Sequence, residues 1–346
     1  MSQPHPLAGL AVDSTLFAQK LEPLRETMLL IRMSREAFRE ASFLDDRILT
    51  PQTRGVWARH DDVAARLAGA AAKPLHFIFH AGHAGSTLVS RLLDETGCVQ
   101  PLREPPPLRQ LAELQDGLGR PESLVSEAQW AVWLATQIAL WRRGWPECDA
   151  VILKATSSAA RLAARLLDAA PDARAIHLTL ACEPYLATLL AGANTPIDLR
   201  GMGGERIRRL TAYLGEAPGA LHALSLGELA AMTWLAERLT QARLAATHGA
   251  RLRVVDFDAL LADPPGEMAA IAVHFGLAAP PGWAERLPHS RALATYSKAP
   301  EHPYSPALRA QILAEARAAH AAQIRAGLAW LERLGARHRE VAAVLG

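Results

Sequence analysis

A strand–turn–helix unit near residue 80 constrains the fold of this chain more than any other segment does. Apolar residues 75–79 (LHFIF) are typical of a short buried strand. The small-residue turn 81–85 (AGHAG) follows, and Ser86 and Thr87 then open a segment whose leucines recur at helical spacing. In such a unit several backbone N–H groups and the positive end of the helix dipole point at one place. The unit therefore predicts a phosphate or sulfate site, with an ordinary strand–helix connection as the alternative.

This turn is not a Walker A loop. Aligning GxxxxGK[ST] on Gly85 places His80 at the first glycine and Ser86 at the lysine. A nucleoside-triphosphate hydrolase would therefore lack the lysine that reaches the outer phosphates. Gly82 and Gly85 still allow a close backbone approach to an anion, and the Ser86 and Thr87 hydroxyls can donate to it.

Strands and helices alternate after this unit. Near-continuous apolar runs predict further strands at 150–154, 174–180 and 251–256, separated by helical patterns. The alternation predicts an α/β fold whose parallel sheet is covered by helices on both faces. Because ligands bind at the carboxyl ends of parallel strands, we expect the loop, Lys154 and Leu180 to converge there.

The 346 residues suit one large α/β core with added helical parts. We divide them into an N-terminal helical layer, an α/β core and C-terminal helices packed on the core, at residues 1–70, 71–300 and 301–346. Helical spacing in 27–39 and 61–72 predicts helices and loops without strands in the first part. The C-terminal part is predicted as two helices, 306–324 and 326–344, which pack on the core or form a homodimer surface.

Composition restricts the functional class. A net charge of +2 predicts neither nucleic-acid binding nor a membrane-surface role. No apolar run of about 18 residues is present, and the mixed start MSQPHPLAGL lacks a secretory pattern. Three unclustered cysteines, Cys98, Cys148 and Cys182, give neither a disulfide framework nor zinc spacing. We therefore expect a cytoplasmic protein without a metal.

Glu104 is a candidate general base. It stands between Arg103 and three prolines, residues 105–107. Proline restricts the residue before it, so we expect Glu104 to be fixed in an extended conformation. A rigid segment can hold a base within reach of an acceptor hydroxyl. The alternative is a surface glutamate paired with Arg103.

Lys154 is a candidate catalytic cation. It ends a predicted buried strand, where a charge is costly unless it is paired or faces a cleft. A point cation in a cleft can stabilise negative charge that develops in a transition state. The alternative is a structural ion pair with Asp149 or Asp168.

Residues 83–87 (HAGST) resemble the 5′-phosphosulfate loop of P-loop sulfotransferases, where a basic residue, a small residue, glycine and two hydroxyl residues replace a Walker lysine. The spacing resembles the tyrosylprotein sulfotransferase type in particular. That type has a base-like glutamate nineteen residues after the loop glycine, and Glu104 is the nineteenth residue after Gly85 (104 − 85 = 19). It also has a strand that ends in a transition-state lysine, which Lys154 matches.

The resemblance implies an enzyme that transfers a sulfuryl group from 3′-phosphoadenosine 5′-phosphosulfate, as co-substrate, to an acceptor hydroxyl on a small molecule or peptide. Glu104 would be the base, and Lys154 would stabilise the developing charge. The residues implied to hold the 5′ end of the donor are His83, Ala84, Gly85, Ser86 and Thr87.

The chain departs from this family at the 3′-phosphate. The family places an arginine twenty-six residues after the lysine and a serine eight further, and these offsets fall on Leu180 and Thr188. Thr188 keeps a hydroxyl, but a leucine cannot replace the bidentate contact of an arginine. Candidate substitutes are Arg200, Arg206 and Lys298, of which Lys298 matches a late basic residue that the family often places near the donor.

Several alternatives remain open. His83 stands where the family has a permanent cation, so an ordinary imidazole predicts anion affinity that falls between about pH 6 and 8. His80 and His83 with Cys98 or His76 suggest a metal site without a carboxylate ligand. An ATP-dependent kinase-like transferase would need Mg²⁺, with Thr87 and Asp256 as ligands. A non-catalytic nucleotide- or protein-binding module on the same fold is the remaining alternative.

Overall fold

The computed structural model describes residues 7–346. Its N-terminal part is built on a three-stranded antiparallel sheet in the order β1–β2–β3. The strands are β1 (Leu16–Glu22), β2 (Thr27–Arg32) and β3 (Gly55–Arg59). Helix α1 (Arg35–Glu40) follows β2, and helix α2 (His60–Leu67) follows β3.

The expectation of an N-terminal layer made of helices without strands is wrong. The segment predicted as a helix over 27–39 is strand β2 followed by helix α1. A short apolar run fits a buried strand as well as a buried helix. The side chain of Ser34 accepts a hydrogen bond from the Ala37 N–H and thereby starts the helix only at Arg35. Residues 1–6 of the predicted layer lie outside the described residues.

A five-stranded parallel sheet forms the centre of the molecule. Its strands are β4 (Leu75–His80), β5 (Val99–Arg103), β6 (Ala150–Lys154), β7 (Ala175–Thr179) and β8 (Leu252–Asp256). Their order is β5–β6–β4–β7–β8, and every pairing is parallel. Every residue of β4 to β7 is buried, as expected for a sheet covered on both faces. The predicted α/β fold class is confirmed.

Within residues 7–346, fourteen further α-helices surround this sheet. Strands β9 (Thr295–Tyr296) and β10 (Ala299–Pro303) form a short separate antiparallel pair. In chain order the helices are α3 (Ser86–Asp94), α4 (Pro106–Gln115), α5 (Glu127–Trp141), α6 (Ala163–Ala169), α7 (Cys182–Leu190), α8 (Thr195–Gly201), α9 (Gly203–Leu214), α10 (Leu226–His248), α11 (Phe257–Ala262), α12 (Pro264–Phe275), α13 (Trp283–Arg286), α14 (Arg291–Ala294), α15 (Pro306–Gly335) and α16 (Arg339–Leu345).

The C-terminal prediction needs one correction. Residues 306–335 form the single helix α15, which is kinked at His320, and α16 is a short separate helix. No helix in the part of the chain that the structure describes has both the length and the apolar character needed to cross a membrane.

Alternation along the buried strands divides the core into two clusters. Phe77 and Phe79 of β4 belong to a cluster with the N-terminal sheet, α4 and α5, whereas Ile78 belongs to a cluster with α3, α7, α10 and α12. Successive side chains of a strand point to opposite faces, so both faces of the sheet are covered. The predicted site residues lie at the carboxyl ends of these strands, with the loop after β4, Glu104 after β5 and Lys154 at the end of β6.

Candidate active site

The loop after β4 has the backbone of an anion-binding turn. Gly82, His83 and Gly85 all have left-handed backbone angles, with φ of 90°, 52° and 72°. The first hydrogen bond of α3 runs from the Val89 N–H to the Gly85 carbonyl, at 3.0 Å. The amides between these two residues therefore have no partner within the helix and are oriented to receive an anion.

Two hydroxyl residues are buried at this helix N-terminus. Ser86 and Thr87 are 4% and 2% exposed, and Ala84 beside them is also buried. The Thr87 hydroxyl has no hydrogen-bond partner among residues 7–346. Because buried hydroxyls are nearly always paired, this group requires a partner such as a bound ligand or water.

The left-handed glycine at the start of α3 also lies against an aromatic ring. A Cβ atom at Gly85 would lie 2.0 Å from Cε2 of Phe257, the first residue of α11. The loop can therefore approach α11 only because this residue lacks a side chain.

Replacing Gly85 with alanine is expected to destabilise the fold by about 2–4 kcal/mol, since overpacking and a left-handed alanine both add cost. Gly69 is a matched control, because its φ is 75° but open space surrounds its Cβ position. Gly69→Ala should cost only about 1 kcal/mol. The free energy of unfolding in urea measures both variants, and equal losses would show that the Phe257 contact does not constrain the loop.

Glu104 and Lys154 meet at the ends of neighbouring strands. The Lys154 ammonium donates to Oε1 of Glu104 in an ion pair, and the Glu104 N–H donates to the Lys154 carbonyl at 2.8 Å. The Lys154 side chain is fully buried, whereas that of Glu104 is 19% exposed. The structural alternative that paired Lys154 with Asp149 or Asp168 is therefore wrong.

Glu104 does not have the extended backbone expected for a residue before proline. Its φ is 56°, in the left-handed region. A non-glycine residue in a sparsely populated region costs about 1–3 kcal/mol and persists only where its surroundings hold it. The Lys154 ion pair and the backbone bond to the Lys154 carbonyl provide that support. Glu104 is thus held at the cleft by its contacts, and proline rigidity alone does not explain its position.

Arg103 points away from Glu104, so the alternative of an Arg103–Glu104 pair is also wrong. Adjacent side chains of a strand face opposite sides. The buried Arg103 guanidinium donates to the carbonyls of Arg39 and Ala41 at 2.9 and 3.0 Å, and it pairs with Asp94 at 3.2 Å. Arg103 therefore fixes the N-terminal part of the chain to β5 and α3.

The N-terminal part contributes Phe43 and Arg47 to the site, and the sequence did not indicate either of them. The Phe43 ring lies 5.1 Å from the Lys154 ammonium and 3.7 Å from the Arg47 guanidinium, and Arg47 also pairs with Asp45. A hydrogen bond of 2.7 Å from the Leu44 N–H to the Arg103 carbonyl fixes this segment at the edge of the sheet. No sequence motif marks these residues, since they reach the site only through tertiary packing.

Lys298 lies in the turn between β9 and β10, close to the same cleft. Arg91 of α3 donates to the Ser297 carbonyl at 3.0 Å and holds this turn. Lys298 is solvent-accessible, yet partial desolvation by the surrounding protein lowers the pKa of its ammonium, and the charge of Glu104 opposes that shift. The structure therefore brings Lys298, Lys154, Glu104 and the loop together.

Burial and neighbouring cations set the protonation of the site. Burial lowers the pKa of Lys154 to about 8; Glu104 opposes this shift, and Lys298 and Arg103 add to it. His83 is accessible in the cleft, but desolvation by the protein around it, and then the charge of Lys298, lower its pKa to about 4. Both effects lower the His83 pKa, so its imidazole is neutral near pH 7. The expectation that His83 titrates near pH 6.5 is therefore corrected.

The residues considered for binding the 3′-phosphate differ in their burial and hydrogen bonding. The Thr188 hydroxyl donates to the Pro184 carbonyl of its own helix at 2.8 Å, and Leu180 is buried. Arg200 is exposed on α8. Arg206 on α9 is 8% exposed, and its Nη1 atom has no hydrogen-bond partner within the described chain.

Arg206 interacts electrostatically with Tyr185, whose hydroxyl lies near the loop. Its charge acts on the buried Tyr185, and burial is the main cause that raises the pKa of this phenol. The Tyr185 hydroxyl and the Ser157 hydroxyl each lie 3.6 Å from the Cβ position of Gly82. Two hydroxyls thus lie at the start of the loop, and one of them belongs to a tyrosine that interacts with the buried Arg206.

The sequence matches no protein-family model and no curated protein. The structure is similar to solved sulfotransferases at low identity. One from Mycobacterium tuberculosis is 17% identical, with a TM-score of 0.42 over 77% of this chain and 80% of that chain. One from Mycobacterium avium is 12% identical, with a TM-score of 0.42 over 90% and 95%. One from Alicyclobacillus acidocaldarius is 16% identical, with a TM-score of 0.38 over 74% and 97%. Similarity at this level does not show activity, and the function has to be inferred from the residues of the site.

Proposed function

We propose that this protein transfers a sulfuryl group from a phosphosulfate nucleotide to an acceptor hydroxyl. The observation that carries the proposal is the contact between Lys154 and Glu104 at the binding edge of the sheet, beside a loop with free amides and an unpaired Thr87 hydroxyl. The Lys154 ammonium can stabilise a developing anion, and the Glu104 carboxylate can accept a departing proton. The spacing of Gly85 and Glu104, which resembles that of tyrosylprotein sulfotransferases, supports the same conclusion.

In the proposed reaction the acceptor oxygen attacks sulfur and forms a new S–O bond. The S–O bond to the bridging oxygen of the donor breaks, and its electron pair stays on that oxygen as part of the leaving phosphate. The acceptor proton moves to the Glu104 carboxylate. Lys154 stabilises the charge on the bridging oxygen, and the loop amides hold the 5′-phosphate. Because Lys154 contacts only Oε1 of Glu104, Oε2 is left to accept the proton.

The charges around the cleft suit an anionic donor. Lys154, Lys298 and Arg47 provide three positive charges, whereas Glu104 and Asp45 provide two negative ones, so the net charge is +1 (3 − 2). For the 3′-phosphate we propose Lys298 and Arg206, since Thr188 is bonded within its own helix. A metal is not required in this scheme, because cations and N–H groups stabilise the transferred group.

Calorimetric titration tests the proposal. We expect adenosine 3′,5′-bisphosphate to bind without Mg²⁺ and more tightly than adenosine 5′-monophosphate. Transfer from a labelled phosphosulfate donor to a panel of phenols and alcohols then tests turnover. Tight binding of ATP that requires Mg²⁺ would instead support a kinase-like transferase. Binding of the bisphosphate without transfer to any acceptor would support a non-catalytic module.

The neutral His83 gives a prediction about pH. The difference in bisphosphate affinity between wild type and His83→Arg should be constant from about pH 6 to 8, because the free imidazole is already unprotonated there. A bound phosphate raises the His83 pKa, so proton uptake on binding falls between the free value of about 4 and the higher value of the complex, which we expect to stay below about 6. His83→Arg should bind more tightly across the whole range.

Only the difference between variants is informative, since the ligand phosphate itself titrates near pH ~6. Titrations at fixed ionic strength make this comparison. A wild-type affinity that falls relative to His83→Arg above about pH 6 would show that His83 carries a proton near neutrality.

A further inference from the structure

His80, the last residue of β4, uses both of its ring nitrogens. Nδ1 accepts a hydrogen bond from the Gly82 N–H at 3.0 Å, and Nε2 lies 2.8 Å from the Ala155 carbonyl. A carbonyl can only accept, so Nε2 carries the proton and Nδ1 presents its lone pair. One neutral tautomer satisfies both contacts, and the ring is 6% exposed. With both nitrogens occupied, His80 is unavailable as a metal ligand.

The two contacts join the two halves of the proposed site. Gly82 is the first left-handed residue of the loop, and Ala155 directly follows Lys154. The backbone ladder between β4 and β6 continues as far as the bond from the Ala155 N–H to the Ile78 carbonyl, at 2.9 Å. Beyond this point the His80 ring provides the connection between the loop and the chain after Lys154.

The same contact determines which amides can face an anion. The Gly82 N–H is directed to His80, so it is not available to a ligand. The remaining amides of the turn, from His83 onward, stay free to converge. A change at His80 should therefore alter the loop without removing any group that contacts the donor.

We propose that His80 is a positioning residue that holds the anion-binding loop and Lys154 in a fixed relation through this single tautomer. This inference rests on the proposed function, in which the loop holds the donor and Lys154 stabilises the leaving oxygen. The alternative is a histidine that only fills the core.

Two substitutions separate the two hydrogen bonds. His80→Asn places an amide oxygen near the position of Nδ1, so it retains the acceptor for Gly82 and loses the bridge to Ala155. His80→Gln places an amide nitrogen near the position of Nε2, so it retains the bridge and loses the acceptor. His76 is a matched control on the same strand: it is buried, and its Nδ1 accepts from the Arg174 N–H at 3.1 Å, at the opposite end of β4.

We expect His80→Gln to weaken adenosine 3′,5′-bisphosphate binding by about tenfold, the upper range for one hydrogen bond. His80→Asn should keep affinity within about threefold but lower turnover with a phosphosulfate donor by about tenfold, because the chain after Lys154 is released. His76→Asn and His76→Gln should each leave affinity and turnover within about threefold. Equal effects of the His80 and His76 substitutions would overturn the proposal.

A ligand-free measurement keeps the inference separate from the proposed function. In the free protein, exchange of the Gly82 amide measured by NMR should accelerate in His80→Gln and stay slow in His80→Asn. The ¹⁵N shifts of His80 should show the Nε2–H tautomer. If wild type binds no bisphosphate, the proposed function fails, and the Gly82 exchange still decides whether His80 holds the loop. Unchanged Gly82 exchange in His80→Gln would contradict the proposal.

Discussion

Sulfuryl transfer by Glu104→Gln is expected to be about 10²–10⁴-fold slower than by wild type, because glutamine cannot accept the acceptor proton. The affinity for adenosine 3′,5′-bisphosphate should stay within a few-fold, since the loop and Lys154 remain in place. Initial rates with a labelled phosphosulfate donor, together with calorimetric titration of the product nucleotide, separate the two effects.

Asp45 provides the control for this substitution. Its carboxylate belongs to the same cleft but pairs with Arg47, and it is 38% exposed. Asp45→Asn removes the same charge without removing the proposed base, so its rate should change by less than about threefold. A Glu104→Gln rate within about threefold of wild type would exclude Glu104 as the general base.

Lys154→Met is expected to lower turnover about 10²–10³-fold while weakening nucleotide binding much less, because the lost charge acts mainly on the transition state. Methionine keeps most of the buried volume, which limits the cavity that alanine would leave. Lys154→Arg should restore activity only in part, since a planar fork does not replace a point charge.

The pH profile of the same reaction provides an independent test. The pKa of Lys154 is lowered to about 8, so the charged form is lost as the pH rises through that value. The ratio kcat/KM, which reports on the free enzyme, should therefore fall above about pH 8 in wild type. The fall should be absent in Lys154→Arg, whose guanidinium stays charged.

Arg47→Met is the matched control for the cation, because Arg47 lies over the same Phe43 ring but is exposed and paired with Asp45. Its effect on turnover should be below about tenfold. If Lys154→Met lowers the unfolding temperature but leaves turnover per folded molecule unchanged, then the ion pair with Glu104 is structural.

The sequence alone indicated the features that depend on residues adjacent in the chain. The strand, turn and helix at 75–94 follow from an apolar run, two glycines and a hydroxyl pair, all local signals. The strands near 150–154, 174–180 and 251–256 were also predicted, because the interior of a parallel sheet produces continuous apolar runs. Gly85 was indicated by the strand–turn–helix unit, Lys154 by its place at the end of a predicted strand, and Glu104 by its spacing from Gly85 in the resemblance to sulfotransferases.

Strand β5 shows where local signals fail. Its sequence VQPLR contains a proline and a glutamine, so it lacks the continuous apolar run that is typical of a buried strand. Proline is tolerated there because β5 is an edge strand of the sheet. The helix prediction for residues 27–32 failed for a different reason. Their apolar run fits either a helix or a strand, and only packing against neighbouring elements selects the strand.

The tertiary structure alone decided the partners of the charged groups. Glu104 and Lys154 are fifty residues apart and meet because β5 and β6 are neighbours in the sheet. Sheet order, alternation and the packing of the N-terminal segment also directed Arg103 into the core and placed Phe43 beside Lys154. The protonation of Lys154 and His83 follows from the same packing, because desolvation and nearby charges depend on the positions of residues distant in sequence. Residue types and spacing thus determined which candidate site residues the chain offers, whereas long-range packing determined which of these groups touch and in which charge state.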